Sequence, residues 1–128
     1  MRLLLDTHAF LWFITADPKL SSTAEREIRR SGNTPLLSVA SVWEIAIKVN
    51  LGRLPIPRPL DTFIPEQLRI NRIHLLPVEL HHTFEIARLP LHHRDPFDRL
   101  LLAQVISEGI PMVSADSAFD AYSIQRVW

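Results

Sequence analysis

LLLDTHAFLW, residues 3–12, contains the features that decide the fold: an apolar run, an acid at its end and a stretch that favours a helix. The run Leu3–Leu5 predicts a short strand buried on both faces, since three consecutive leucines leave no polar side. From His8 to Ile14 the sequence favours a helix, and the pair Asp17-Pro18 ends it. The chain therefore begins with a buried strand followed by a helix.

The same alternation of short apolar runs and amphipathic stretches continues along the chain. Further strands are predicted at Leu36–Ser38, Ile73–Leu76, Met112–Ser114 and, at a sheet edge, Ser123–Val127. Helices are predicted from Ser21 or Ser22 to about Arg30, then over Ser41–Leu51, Thr62–Arg69, Glu79–Arg88 and Phe97–Glu108, with a short turn or helix at Ala118-Phe119. Alternating strands and helices indicate the α/β class. We expect one domain over residues 1–128, with a central, mostly parallel sheet in a three-layer α/β/α arrangement.

Composition excludes several classes of protein. The chain has 128 residues, no cysteine and a formal net charge of zero. It therefore lacks disulfides and thiolate metal ligands, and it is not a polycation as a whole. Asp6 and His8 interrupt the apolar run near the first residue, which argues against a signal peptide. No run approaches the ~20 apolar residues of a membrane span. We expect a protein that acts in the cytoplasm.

Four acids lie after predicted strands or on predicted helices that border the same edge of the sheet. Asp6 directly follows the first strand, Asp116 follows Met112–Ser114, and Asp98 lies in the first turn of a long helix. Glu44 lies on the helix after the second strand. Functional crevices in such folds lie beyond the carboxyl ends of the strands. Carboxylates ~4 Å apart repel by about 4 kcal/mol per pair at an effective dielectric of about 20. Such a cluster suits Mg²⁺ or Mn²⁺, which prefer oxygen ligands.

Each acid also has a structural alternative. Asp6 suits the N-cap of the helix that follows it, and Glu44 suits an ion pair with Lys48 at i,i+4 spacing. Asp116 suits a turn or a cap. The segment Asp95-Pro96-Phe97-Asp98 resembles a capping box with proline at the first helical position. Taken one at a time, the acids leave both interpretations open.

Four segments together resemble one known family. They are LLLDTHAFLW (Leu3–Trp12), SVASVWEIAIKVNLGRL (Ser38–Leu54), LPLHHRDPFDRLLLAQ (Leu89–Gln104) and VSAD (Val113–Asp116). In this order they are similar to the VapC toxins, which are PIN-domain proteins of bacterial toxin–antitoxin pairs. The similarity extends over nearly the whole chain.

The resemblance implies a PIN fold and an endoribonuclease that depends on Mg²⁺ or Mn²⁺ and cuts RNA, often tRNA or ribosomal RNA. The family's four catalytic, metal-binding acids fall on Asp6, Glu44, Asp98 and Asp116. The resemblance makes Asp95 the helix cap and gives it a supporting role beside the four acids. The resemblance also gives supporting roles to Thr7 beside Asp6 and to Ser114, where threonine is commoner, in orienting acids or water.

Basic side chains around the third segment are candidates for contacts with RNA phosphates, although ordinary surface charge is an alternative. They are Arg94, Arg99, His92 and His93. The adjacent pairs His81-His82 and His92-His93 do not predict zinc, since neighbouring residues on a helix point in different directions and the spacing is not that of metal fingers. The aromatic residues Phe10, Trp12 and Trp43 are expected to pack rather than to stack on bases.

The resemblance further implies partners. A VapB-type antitoxin would thread a segment along the toxin and block the acids, commonly with an arginine. Apolar surface around Trp12, Ile14, Trp43 and Ile47 is the expected docking region. A homodimer is expected, with promoter DNA bound only through the antitoxin.

Two other functions are compatible with some of these features. A phosphatase of the haloacid dehalogenase type also places an aspartate after its first strand and uses Mg²⁺. That class needs a second aspartate two residues later, where this chain has His8. A non-catalytic PIN module is the other alternative, although all four acids are present.

Overall fold

A five-stranded, wholly parallel sheet forms the centre of the computed structural model, which describes residues 1–128. Its strands lie in the order β3-β2-β1-β4-β5. In chain order they are β1 Arg2–Leu5, β2 Thr34–Ser38, β3 His74–Leu76, β4 Met112–Val113 and β5 Arg126–Val127. The predicted α/β class and parallel sheet are confirmed.

Helices connect the strands and cover both faces of the sheet. They are α1 Thr7–Ile14, α2 Ser22–Arg29, α3 Val39–Asn50, α4 Leu60–Asn71, α5 Leu80–Ile86 and α6 Pro96–Glu108, with a 3₁₀ helix at Ser117–Ala121. No helix is both long enough and apolar enough to cross a membrane.

The leucines of β1 divide the core into two layers. Leu3 and Leu5 pack in a cluster on one face with residues of α1, α2 and α4, whereas Leu4 packs on the other face with α6. This division follows from the pleat, which points successive side chains to opposite sides. All three leucines are fully buried. A strand without a polar side therefore requires helices on both faces, as the run of leucines predicts.

Two elements differ from the sequence-based expectation. The edge strand was expected from Ser123, but β5 pairs only at Arg126–Val127, since its partner β4 is itself two residues long. Helix α4 extends to both sides of the expected Thr62–Arg69 and contains Pro65. The proline removes only one helical hydrogen bond, and burial of the neighbouring apolar side chains stabilises the helix around it.

The strand order reverses direction at β1. From β1 the chain adds β2 and β3 on one side, then returns to add β4 and β5 on the other. The register pairs Leu5 with Val113, so β1 and β4 end side by side. A crevice forms where parallel strands diverge in this way. The residues that follow Leu5 and Val113 therefore border the same opening.

Candidate metal-binding cleft

Asp6 is both a helix cap and a member of the cleft. Its Oδ1 accepts a hydrogen bond of 2.8 Å from the N–H of Ala9, and its own N–H donates to the Val113 carbonyl. The side chain is buried, and this burial raises its pKa despite hydrogen bonds from Ser114 and Ala9. Asp6 therefore does cap α1, as its structural alternative predicts. The same carboxylate is also buried at the end of β1.

Asp95 and Asp98 divide two roles between them. Asp95 Oδ1 accepts the Asp98 N–H at 3.0 Å and caps α6, with Pro96 in its first turn. The Asp98 side chain therefore remains free to point elsewhere. Its pKa is raised to about 7, chiefly by burial and then by the negative charge of Asp95, while Asp6 and Glu44 contribute further. Asp98 consequently experiences the repulsion expected of clustered acids.

Asp116 lies in the loop after β4 and caps the 3₁₀ helix. Its Oδ1 accepts the Ala118 N–H at 2.9 Å, and its own N–H donates to Ser114 Oγ at 3.0 Å. Burial raises its pKa, but the hydrogen bonds from Ala118 and His93 outweigh this and lower it. Ser114 also hydrogen-bonds the Asp6 carboxylate, so this hydroxyl lies between two acids.

His93 lies between two carboxylates. Its Nε2 is 3.0 Å from Asp116 Oδ2 and 3.3 Å from Asp98 Oδ2, and its ring stacks on Phe119 at a centroid distance of 5.2 Å. The Asp95 N–H donates to Nδ1 at 3.4 Å, which leaves the proton on Nε2. His93 was expected to contact an RNA phosphate. The structure instead uses its ring nitrogen to hold Asp98 and Asp116 together.

Glu44 is held from two sides on α3. Its Oε1 accepts a hydrogen bond of 2.7 Å from Thr7 Oγ1, and Lys48 Nζ is 3.5 Å from Oε2. Thr7 Oγ1 also lies 3.0 Å from Ser41 Oγ. Thr7 was expected to orient an acid or a water beside Asp6, and the acid that its hydroxyl contacts is Glu44. Lys48 also lines the cleft. From the i,i+4 spacing, only an ion pair between Lys48 and Glu44 on the protein surface was expected.

These side chains line one cavity of about 280 Å³ without a single hydrophobic residue. Its lining consists of Asp6, Thr7, His8, Glu44, Lys48, Asp95, Asp98 and Asp116. Five carboxylates face one lysine, and burial together with the negative charge of neighbouring acids raises the pKa of Asp98. A divalent cation with oxygen ligands would neutralise this charge, so the donor set fits such an ion. The oxygens of Asp98 and Asp116 and the His93 nitrogen are close enough together to hold one.

The remaining predicted phosphate contacts have different positions. The Arg99 guanidinium donates to four backbone carbonyls, those of Ile86, Leu89, Pro90 and His93. It therefore holds the loop before α6, and contact of Arg99 with RNA remains a prediction. Arg94 is exposed without an ion pair, and the His92 ring packs against Tyr122. Arg94 remains the free cation of this group.

A second cluster combines His81, His82 and Glu108 away from the cleft. His82 Nδ1 accepts the Glu79 N–H at 2.9 Å, so Nε2 carries the proton and donates to Glu108 at 3.2 Å. The pKa of Glu108 is lowered to about 2, first by Arg2 and then by His82. A zinc ion at Nε2 would have to displace that proton while Nδ1 faces a donor. The contacts therefore favour a structural role.

The apolar side chains expected to form one docking region belong to two surfaces. Trp12 and Ile14 line a groove beside the cleft. Trp43 and Ile47 lie on the outer side of α3, where the Trp43 ring meets Phe97 edge-on at 4.9 Å. Phe10 is fully buried, as expected of a packing residue, whereas Trp43 is 60% exposed.

Comparison with known families agrees with this geometry. Residues 3–125 match the family model described as PIN domain. The chain belongs to the PIN domain family. The acids that line its cleft thus lie on a fold shared by the whole family, and the implied PIN fold is confirmed.

Individual relatives are similar over part or all of this PIN domain. Ribonuclease VapC16 from Mycobacterium tuberculosis is 40% identical over 70 residues, covering 52% of this chain and 50% of that protein. The chain thus spans about half the length of this curated relative. A chain in the crystal structure of VapBC2 from Rickettsia felis bound to a promoter DNA fragment superposes with a TM-score of 0.70 at 16% identity and full coverage of both chains. VapBC-5 from Mycobacterium tuberculosis has a TM-score of 0.60 at 18% identity, covering 98% of this chain and 97% of that chain.

Proposed function

We propose that this PIN domain is a divalent-metal-dependent endoribonuclease. The observation that carries the proposal is the convergence of Asp6, Glu44, Asp98 and Asp116 in one polar cleft with too little positive charge to balance them. The name of the curated relative, a ribonuclease, supports RNA as the substrate. The four acids are the catalytic, metal-binding residues of this proposal.

Mg²⁺ or Mn²⁺ would be held chiefly by Asp6, Asp98 and Asp116. Glu44 already bonds Thr7 and Lys48, so it would reach the ion directly or through water. When bound, such an ion supplies an activated water nucleophile and neutralises charge that develops on the phosphodiester. Hydrolysis would leave a 5′-phosphate and a 3′-hydroxyl.

The chain's own residues prepare this site. Thr7 and Lys48 orient Glu44, while Ser114 connects the carboxylate of Asp6 to the backbone of Asp116. His93 holds Asp98 and Asp116 at a fixed separation. Such fixed contacts reduce the reorganisation that would otherwise accompany ion and substrate binding.

We further propose that the chain is the toxin of a toxin–antitoxin pair and acts in the cytoplasm. The structurally similar VapBC proteins, among them one bound to promoter DNA, support this assignment. A VapB-type antitoxin would cover the acidic cleft, where an arginine side chain would pair with the carboxylates. Binding to promoter DNA would then occur only through the antitoxin.

A homodimer would bury the outer face of α3, formed by Trp43, Ile47 and Leu51 with Phe97 of α6. Trp43, Ile47 and Leu51, the residue that directly follows α3, recur every fourth residue and are 60%, 38% and 57% exposed. Contiguous exposed apolar residues mark interaction sites. Light scattering of the purified chain would show a dimer that Trp43→Glu converts to a monomer. Ile70→Glu, which alters an exposed residue of α4, would leave the dimer intact.

The alternative functions lose support from these observations. A haloacid dehalogenase phosphatase is not the family whose model matches the chain. A non-catalytic PIN module would not need to retain four acids in one cleft. Absence of Mn²⁺ binding would return the second alternative to consideration.

Expression in bacteria tests the proposal. The chain alone should arrest growth, Asp6→Asn should abolish the arrest, and the product of a small neighbouring gene should relieve it. Asp61→Asn is the matched control, since Asp61 is exposed on α4 and lies outside the cleft. Sequencing of RNA ends would identify the cut site. Growth arrest by Asp6→Asn equal to that of the unmodified chain would refute the proposed activity.

A further inference from the structure

A groove of about 470 Å³ adjoins the acidic cleft. His8 and Lys48 line both cavities, so these two side chains form the border that the groove and the cleft share. The groove runs between α1 and the segment that follows α3, and its volume lies within the range of small-molecule sites. Whatever occupies the cleft can therefore extend into this groove.

Aromatic and rigid residues form the walls of the groove. The Trp12 ring stacks on His8 at 5.6 Å and 28°, and it tilts against Trp128 at 5.9 Å. Pro55 and Pro57 also line the groove, and their rings restrict the backbone there. The Lys19 ammonium lies 5.9 Å from the centre of the Trp12 ring. The groove is thus preformed, and the exposed His8 ring, backed by Trp12, offers a surface of the kind on which nucleobases stack.

Arg53 supplies an unpaired positive charge in the same groove. Gly52 has a φ of +71°, and in this left-handed turn the Arg53 N–H donates to the Lys48 carbonyl at 2.9 Å. The turn is a Schellman cap that brings Arg53 back beside Lys48. The Arg53 side chain is exposed and has no ion pair or hydrogen bond, whereas Lys48 is engaged with Glu44. The motif Gly52-Arg53-Leu54 therefore presents a free guanidinium beside an aromatic wall.

We propose that this groove binds the nucleotide adjoining the cut phosphodiester of a single-stranded RNA. The base would lie against His8 and Trp12, and the neighbouring phosphate would pair with Arg53. This inference rests on the proposed ribonuclease function. The chain has no net charge and its cleft is acidic, so an approaching polyanion needs a local cation to offset repulsion. Arginine suits phosphate because its fork of N–H groups matches the oxygens.

A peptide is the competing occupant. An apolar segment would cover the walls but would bring no negative group to the Arg53 guanidinium, and Asp17, the one acid that lines the groove, forms no ion pair with it. A phosphate satisfies the guanidinium while the base covers the rings. The combination of an aromatic wall with a free arginine therefore favours a nucleotide.

The test measures binding of a fluorescent single-stranded RNA of about ten nucleotides, a length typical of one binding site. Asp116→Asn in every protein prevents cleavage during the measurement. Arg53→Gln should weaken binding by about tenfold, as for loss of a charged hydrogen bond. It should also reduce the slope of log affinity against log salt by about 0.7, the loss of one phosphate contact on a single strand. Arg26→Gln, which alters an exposed and unpaired arginine of α2, should change neither quantity.

A second measurement requires no change in the groove. When RNA containing 5-iodouridine is bound to a protein whose groove residues are unchanged and the complex is irradiated, the RNA should crosslink to His8 or Trp12. Crosslinks confined to other surfaces, or an Arg53→Gln protein with unchanged affinity and salt slope, would overturn the inference. Cleavage by the unmodified chain is measured in parallel. If the chain cleaves RNA but the binding and crosslinking measurements do not involve the groove, only the proposed role of the groove is refuted. If the chain neither binds nor cleaves RNA, the ribonuclease function itself is refuted.

Discussion

The surroundings of Asp98 in the cleft disfavour its ionised form. Its pKa is raised to about 7, chiefly by burial and then by three neighbouring carboxylates, while His93 partly offsets them. The helix cap is provided by Asp95, so the Asp98 carboxylate is not needed to start α6. An acid kept in such surroundings without a structural task is expected to serve a functional one.

Replacing Asp98 by asparagine should separate stability from function. Asp98→Asn removes a repelled charge, so the metal-free protein should melt at a higher temperature than the unmodified protein near pH 8. RNA cleavage should fall more than about a hundredfold, which exceeds the effect of losing an outer partner of a metal ligand. Calorimetry and a cleavage assay check both effects. A variant that melts lower and still cleaves would show that Asp98 acts in folding instead.

His93 should act on metal binding through the two carboxylates that it contacts. His93→Ala should weaken Mn²⁺ binding by about 10–100-fold, the usual effect of losing an outer partner of metal ligands. His93→Gln should restore part of the affinity because its amide can still donate to Asp98 or Asp116. His92→Ala is the control, since His92 contacts neither carboxylate. Equal Mn²⁺ affinities for the alanine and glutamine variants would argue against hydrogen bonding as the cause.

Helix α3 shows how much of the architecture the sequence predicts at the scale of elements. The apolar residues Val42, Ile45 and Val49 recur on one face and Gly52 follows them, a pattern that predicts a helix in this part of the chain, and α3 lies there. It begins two residues earlier than expected, since Ser38 rather than a later residue provides the cap by accepting the Ala40 N–H at 3.0 Å. Periodicity identifies elements well, whereas their ends depend on individual hydrogen bonds.

The cleft was harder to predict in detail than the sheet. Strand ends and spacing brought the four acids to one edge, because the carboxyl ends of parallel strands coincide. The protein partners that Thr7, His93 and Arg99 have in the structure were not predicted from the sequence. Those contacts depend on the path of the loop between α5 and α6 and on side-chain orientation, which no local sequence pattern determines.

Gly52 should be required for the end of α3. Gly52→Ala would place a Cβ in the left-handed region, which costs about 1–2 kcal/mol. Gly32→Ala is the matched control, because Gly32 has no positive φ and open space around it. Urea denaturation should show the lower stability only for Gly52→Ala. Equal effects of the two substitutions would mean that the Schellman turn contributes nothing to stability.

At the scale of the whole molecule, the acidic cleft should make stability depend on pH in an unusual direction. Between its ordinary pKa of 3.8 and about 7, Asp98 keeps in the folded protein a proton that the unfolded chain has released. The raised pKa of Asp6 acts in the same sense. The free energy of unfolding contributed by these groups is therefore present at low pH and lost as the pH rises through that range. The lowered pKa of Asp116 works oppositely, since its contribution is lost only on acidification.

The pH dependence of the free energy of unfolding leads to a prediction for the metal-free protein. Its melting temperature should fall as the pH rises from about 5 to about 8, and saturating Mn²⁺ should raise it more at the upper pH, where the carboxylates are ionised. Scanning calorimetry with and without chelator measures both. Asp98→Asn should flatten the metal-free profile. A melting temperature that rises over the same pH interval would contradict the raised pKa values of Asp98 and Asp6.

The convergence of carboxylates at the ends of β1 and β4 on a divalent ion is the central claim, and titration calorimetry of Mn²⁺ into the metal-free protein tests it most directly. Asp6→Asn is the decisive variant, because asparagine also caps helices well and should preserve α1. The account predicts Mn²⁺ binding by the unmodified chain and by Asp61→Asn, and a loss of at least about tenfold in affinity for Asp6→Asn. Equal Mn²⁺ affinity for all three proteins, or no binding by the unmodified chain, would contradict it.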